Sequence, residues 1–172
     1  MSRAVGDVAT RRGRRALSWA SYRDRVVVPV VGDLVCGWHA EGMSGERDLQ
    51  RLISAMDPDL RPGAWVFTTG DGVPAGCTPL VTVREDEGTT VVLEREEADL
   101  LGLAYDHVAA MITLRVHSAL DAVGLTAFVA GRLAGAGMSC NVVAGYHHDH
   151  LFVPFDRGAE AVAVLSGRPV PS

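Results

Sequence analysis

The chain contains no lysine; all 16 basic residues are arginine, a compositional bias and not a functional device. It has only three cysteines, Cys36, Cys77 and Cys140, scattered along the sequence. That number and spacing make neither a disulfide framework nor a metal-ligand pair, so the expected compartment is the reducing cytoplasm. No apolar run approaches the roughly 20 residues that a membrane-spanning helix requires. Val26-Val27-Val28-Pro29-Val30-Val31 is short and broken by proline, and no small-residue cleavage site follows it. A membrane span and a secretory leader are both unexpected. What remains, 48% hydrophobic and 22% charged residues over 172 positions, describes a soluble globular protein.

The net charge of −5 conceals a split. Residues 1–42 carry seven arginines and four acids, whereas residues 43–172 carry nine arginines and seventeen acids. An acidic body is a poor partner for nucleic acid, whose phosphates call for clustered cations. Residues 1–42 show no sustained period and precede Met43, which stands just before the first well-formed element. They are expected to be upstream reading frame or a disordered arm, with an extra strand over 26–31 as the remaining alternative.

From Met43 onward the patterning is clear. Leu49, Leu52, Ile53 and Met56 recur at helical spacing, with Ser44 as the expected cap and Asp57-Pro58 as the stop. Trp65 to Thr69 reads as a strand, residues 70–78 as a loop, and 80–84 with 89–93 as a hairpin closed by Glu85-Asp86-Glu87-Gly88. A short acidic helix over 95–103 should turn Ala98, Leu101 and Leu103 inward. Further on, the pattern predicts a strand at 111–116, a helix capped by Asp121 running to about Ala134, and strands at 139–144 and 150–155. Asp156 should cap a last helix that buries Ala159, Val162 and Leu165. Residues 111–167 thus spell β-α-β-β-α, and residues 64–103 repeat that order with a loop in place of the first helix. The expected fold class is α+β, with open antiparallel sheets and helices on one face.

The segments Ile112-Thr113-Leu114-Arg115-Val116-His117-Ser118, Val123-Gly124-Leu125-Thr126-Ala127 and Cys140-Asn141-Val142-Val143-Ala144-Gly145-Tyr146 resemble small bacterial tandem ACT proteins. These are stand-alone relatives of the aspartokinase regulatory domains, and the resemblance runs from Leu49 through Leu165. It implies ferredoxin-like βαββαβ units in tandem, one over residues 43–108 and one over 109–172. It also implies a non-enzymatic regulatory protein that binds a small metabolite, an amino acid above all, and forms a homodimer. Carried onto this chain, the ligand lies against Asp121, Ala122, Val123, Gly124 and Leu125 and against Asn141. A helix N-terminus attracts a carboxylate, its dipole adding about 0.3–1 kcal/mol, and Asn141 offers both donor and acceptor. Read without the resemblance, Asp121 serves equally as a plain N-cap, Gly124 as a packing glycine and Asn141 as a satisfied sheet residue. The C-terminal unit departs from the family pattern: Arg168-Pro169-Val170-Pro171 is a poor fourth strand, and a strand of the first unit is expected in its place.

Three other features invite chemistry. His147, His148, Asp149 and His150 are zinc-type ligands, but neighbours in a tight turn point apart and no second motif supports them. His117-Ser118 with Asp121 lacks the sharp elbow of a nucleophile site. Gly70-Asp71-Gly72 lacks the lysine and the spacing of a phosphate loop. The expected protein has no cofactor and no catalytic residues. Its rivals are an assembly module without a ligand and, further off, a metal-dependent enzyme built on residues 147–150.

Overall fold

The computed structural model describes residues 45–169. The expectations placed on residues 1–42 and on Ser44 lie outside the described residues. The first helix, α1 (Leu49–Ala55), is capped by Asp48, whose side chain accepts from the Arg51 amide. Seven strands follow in one antiparallel sheet: β1 (Pro58–Leu60), β2 (Trp65–Gly70), β3 (Val81–Arg84), β4 (Thr89–Glu94), β5 (Val108–Leu114), β6 (Asn141–Ala144) and β7 (Asp149–Pro154). Helix α2 (Arg95–Leu100) follows β4, α3 (Leu125–Gly135) follows β5, and α4 (Gly158–Ser166) follows β7 through a 3-10 turn, Phe155–Arg157.

The order β3-β4-β2-β5-β7-β6 makes β5 the common strand of two ferredoxin-like halves. Its first residues, Val108 and Ala109, pair with Val66 and Trp65 and complete the N-terminal half. On the same edge, Leu114, Thr113 and Ile112 pair with Pro58, Asp59 and Leu60. The short strand β1 thereby fills the place that the C-terminal half leaves empty after Gly167. Nothing in the periodicity announced it: three residues are too few to alternate, and Pro58 reads as a helix stop.

Alternation along β5 sorts the core. Ala110, Ile112 and Leu114 face α1, α3 and α4, meeting Leu52, Leu125, Val129, Leu133, Ala161 and Leu165. Val66, Val91 and Leu93 continue that face beneath Ala98 of α2. Ala109 and Met111 face the other way, where Trp65, Val92 and Phe152 form an aromatic cluster. The Phe67 and Phe152 rings stand 5.2 Å apart edge to face, although β5 lies between their strands. Ala109 and Met111 of β5 belong to the same cluster.

Several expected boundaries shift. The strand drawn at 111–116 begins at Val108 and ends at Leu114, with Val116 still buried against the helices. The strands drawn at 139–144 and 150–155 run from Asn141 and from Asp149 instead. Asp121 does not cap α3: the helix starts four residues later, after Gly124 at φ 106°, a left-handed conformation open to glycine. Asp156 likewise caps nothing, because the 3-10 turn intervenes. Ala159 is exposed, and α4 buries Ala161, Ala163 and Leu165. Leu101 stays at the surface while Leu103 packs against the core.

Candidate functional site

Beyond Leu114 the chain turns over the end of the sheet through Arg115 to Leu120. The segment around Glu46 lies along this turn as a short parallel bridge. The Glu46 amide donates to the His117 carbonyl at 2.9 Å, and the Ala119 amide donates to the Glu46 carbonyl at 3.0 Å. Gly45 allows the approach, since a Cβ there would stand 2.5 Å from the Ala119 nitrogen. The Glu46 carboxylate accepts from the amides of Arg47 and Asp48. Those bonds hold it below the ordinary glutamate range.

This strap brings Arg47 to Asp121. Nε donates to Oδ1 at 3.0 Å and an Nη to Oδ2 at 3.2 Å, a two-pronged pair that both partners keep in water. Arg47, His117, Ser118, Leu120, Asp121 and Tyr146 line a hollow of about 240 Å³. Tyr146 comes from the β6–β7 turn, which closes with the Gly145 amide donating to the His148 carbonyl at 3.0 Å. The His147 ring lies 5.2 Å from that of His117 and 5.0 Å from that of Tyr146.

Beneath the hollow the groups are drier. Asp149 is 9% exposed and accepts from the Ser118 hydroxyl at 3.4 Å. Burial raises its carboxyl above the ordinary range against the pull of Ser118, His150 and His148. His150, on the opposite face of β7, shares a hydrogen bond of 3.0 Å with the Thr113 hydroxyl. Burial lowers its imidazole, with His148 adding to the effect. The Nδ1 atom of His148 is buried without a partner among the described residues. Alternation along β7 turns Asp149 and His150 apart, and among the described residues no group of three or more potential ligands is placed to hold a metal ion.

Of the six residues singled out for the ligand, Asp121 lines the hollow. Ala122 packs half-buried against the helix-side core, Val123 projects outward at 83% exposure, and Leu125 is buried. Gly124 makes the bend into α3, held under Leu49 of α1. Asn141 is exposed and pairs with Phe152, three residues from Ala144, the partner of Asp149. At about 3.3 Å per residue, that sets it roughly 10 Å along β6 from the hollow's end of the sheet. Arg47 escaped the sequence reading because it acts 74 positions away from its partner. Ser118 and Tyr146 were visible as polar loop residues, though nothing local gave their common destination.

Two larger hollows are less balanced. One, of about 630 Å³ beside Phe155, sets Arg95 among Glu94, Glu96 and Asp99. The other, of about 480 Å³ over the loop after β2, has Asp71 as its one charged wall. The hollow at the end of β5 alone among these sets one guanidinium opposite one carboxylate.

Two models described as ACT domain match the chain, at residues 44–110 and 107–167. The chain belongs to the ACT family. The two matches overlap where β5 begins, the strand that both halves of this tandem ACT protein use. A Vibrio cholerae protein of unknown function, described as a possible transport protein, is 43% identical with a TM-score of 0.63. The match covers 69% of this chain and 94% of that one. An Agobacterium tumefaciens protein is 18% identical with a TM-score of 0.55, covering 65% and 87%. The regulatory subunit of aspartate kinase from Thermus thermophilus is 8% identical with a TM-score of 0.48, covering 66% and 97%. No curated protein matches. ACT domains are regulatory, ligand-binding modules, and the chain is of that class. Among the described residues no helix is long and apolar enough to cross a membrane.

Proposed function

We propose that this ACT protein is a non-catalytic cytoplasmic sensor that binds an amino acid in the hollow at the end of β5 and acts as a homodimer. The observation that carries the reading is the Arg47–Asp121 pair at the hollow. An α-amino acid bears the complementary charges on two groups attached to one carbon. Its carboxylate can take the guanidinium and its ammonium the Asp121 carboxylate, so the exchange leaves no charge unpaired. Because the existing pair is open to water, parting it costs little. Leu120 at 68% and Tyr146 at 56% exposure, both lining the hollow, form a rim with apolar surface that a second copy of the chain can cover, drying the bound ligand. A ligand held between two copies favours the assembled state by its differential affinity.

The test is thermal unfolding with each of the twenty standard amino acids at millimolar concentration. A ligand at about a hundred times its Kd adds roughly 2.7 kcal/mol. At least one amino acid should raise Tm by several degrees, and neither Arg47→Ala nor Asp121→Ala should respond to it. No response from any of the twenty, or the same response in both variants, sinks the reading. The same apolar rim favours a second reading, an assembly module without a ligand. That reading expects concentration-dependent self-association and thermal unfolding indifferent to every amino acid.

A further inference from the structure

A serine hydroxyl has one hydrogen to give and two lone pairs to receive. Ser118 lines the hollow on one side and contacts the buried Asp149 on the other. With Asp149 ionised, the Ser118 hydrogen is committed to the carboxylate, and only lone pairs face the hollow. With Asp149 protonated, the carboxyl hydrogen points to the Ser118 oxygen, and the serine hydrogen is free to turn outward. One proton, taken from solvent by Asp149, thus gives the hollow's floor a donor and takes away one of its acceptor positions.

We propose that the Asp149–Ser118 pair is the specificity element of this site, selecting a ligand by its ammonium group and releasing that ligand in acid. The proposal rests on the reading of the hollow as an amino-acid site. An ionised Asp149 offers the ammonium both an acceptor, through Ser118, and a nearby negative charge. The protonated form lacks the charge, occupies one of the two Ser118 lone pairs and turns a donor outward that the ammonium cannot use.

Among the described residues, the surroundings leave Asp149 to titrate without a strong counter-ion. His148 and His150 flank it on its own hairpin. The neighbouring strands β5 and β6 carry no ionisable side chain. The one ionisable residue of α4, Glu160, is bound to Arg157, and that of α3, Arg132, lies over the Phe128 ring. From the turn and the strap come His117, Glu46, Arg47 and Asp121. Glu46 is held by Arg51 and by the amides of Arg47 and Asp48, and Arg47 by Asp121. Burial already moves the Asp149 carboxyl toward milder acidity. Binding of an ammonium moves it back, and by linkage the affinity must fall as the carboxyl is neutralised.

The experiment is calorimetric titration of the full chain across the acid range with the tightest binder among the twenty amino acids. A second arm uses the same molecule without its amino group. Wild type should lose about tenfold in affinity for the amino acid as the pH falls through the Asp149 titration, and the desamino acid should show no such loss. Ser118→Ala should flatten the profile, and Ser118→Thr, which keeps the hydroxyl, should restore it. The Asp149 carboxyl carbon, followed by NMR, should titrate at lower pH with the amino acid bound. An affinity flat with pH, or a wild-type profile in Ser118→Ala, overturns this proposal and leaves the amino-acid site standing. Failure of all twenty to bind overturns the site reading, and this one with it.

Discussion

Arg115 closes on Asp59, its Nε 3.0 Å from Oδ2, and so fastens the three-residue strand β1 to the end of the central strand β5. Arg61 reaches the same oxygen at 3.2 Å. Together they hold the Asp59 carboxyl below its ordinary range, Arg115 first and Arg61 second. The stabilisation is therefore present above the ordinary carboxylate range and disappears as acid neutralises Asp59. Both partners are open to water, so the pair locks a local element and not the whole fold. In Arg115→Ala, amide hydrogen exchange should quicken at Arg61, which donates to the Met111 carbonyl, and at residue 115 itself, which donates to that of Asp57. The global Tm should move little. Exchange rates unchanged at both amides would show that β1 holds without its clamp.

What the sequence disclosed and what it concealed divide along the range of the interactions. Periodicity found α1, α3 and α4, the two hairpins and the sorting of Ile112 and Leu114 from Met111 and Thr113, because each is decided by neighbours within a few residues. It missed β1, whose place depends on the far side of the fold, and it made Asp121 a cap when Arg47 had already claimed that carboxylate. The helix-start rule failed there because Gly124 breaks the chain direction after Asp121, leaving α3 without a side-chain cap. The neighbourhood of the hollow was legible in the loop after β5. The joining of Arg47, Ser118, Asp121 and Tyr146 was not, since each arrives by a tertiary contact.

Gly158 opens α4 where that helix presses on the sheet. A Cβ there would stand 2.9 Å from the Ala110 Cβ and 3.0 Å from a Leu60 methyl. Leu60, at 40% exposure, can swing aside, but Ala110 is fixed on the central strand. Alanine gains up to about 1 kcal/mol of helix propensity, while overpacking costs about 1–3 kcal/mol. Gly158→Ala should therefore be destabilised by roughly 1 kcal/mol in urea unfolding. Adding Leu60→Ala should not restore it, because the Ala110 contact remains. A variant more stable than wild type would mean that β5 yields more readily than its burial suggests.

Gly45 makes the contact on which the shape of the hollow depends. All three neighbours of a Cβ there are backbone atoms, two of them at 2.5 Å and the third at 2.7 Å, so nothing flexible can move away. Gly45→Ala should lift the strap and break both hydrogen bonds of the Glu46 bridge. At about 0.5–1.5 kcal/mol each, that loss loosens one segment without unfolding the sheet. The Ala119 amide should then exchange faster, and the amino-acid response should vanish along with the placement of Arg47. A protected Ala119 amide in the variant would show that the strap is not what holds the turn.

His150 gives the fold a pH dependence whose sign follows from its burial. Its partly buried ring shares a hydrogen with Thr113, and burial favours the neutral imidazole. As pH falls below about 6.5, the unfolded chain takes up a proton that the folded chain refuses. Stability is therefore lost until the lowered folded value is passed. Asp149 works in the opposite direction, its raised carboxyl returning stability as the pH falls further toward the ordinary carboxylate range. Unfolding curves of wild type and His150→Asn, compared from neutral pH downward, isolate the first effect, since the amide does not titrate. The wild type should lose Tm relative to the variant in the mildly acidic range. Parallel curves would mean that the imidazole takes its proton as easily inside the fold as outside it.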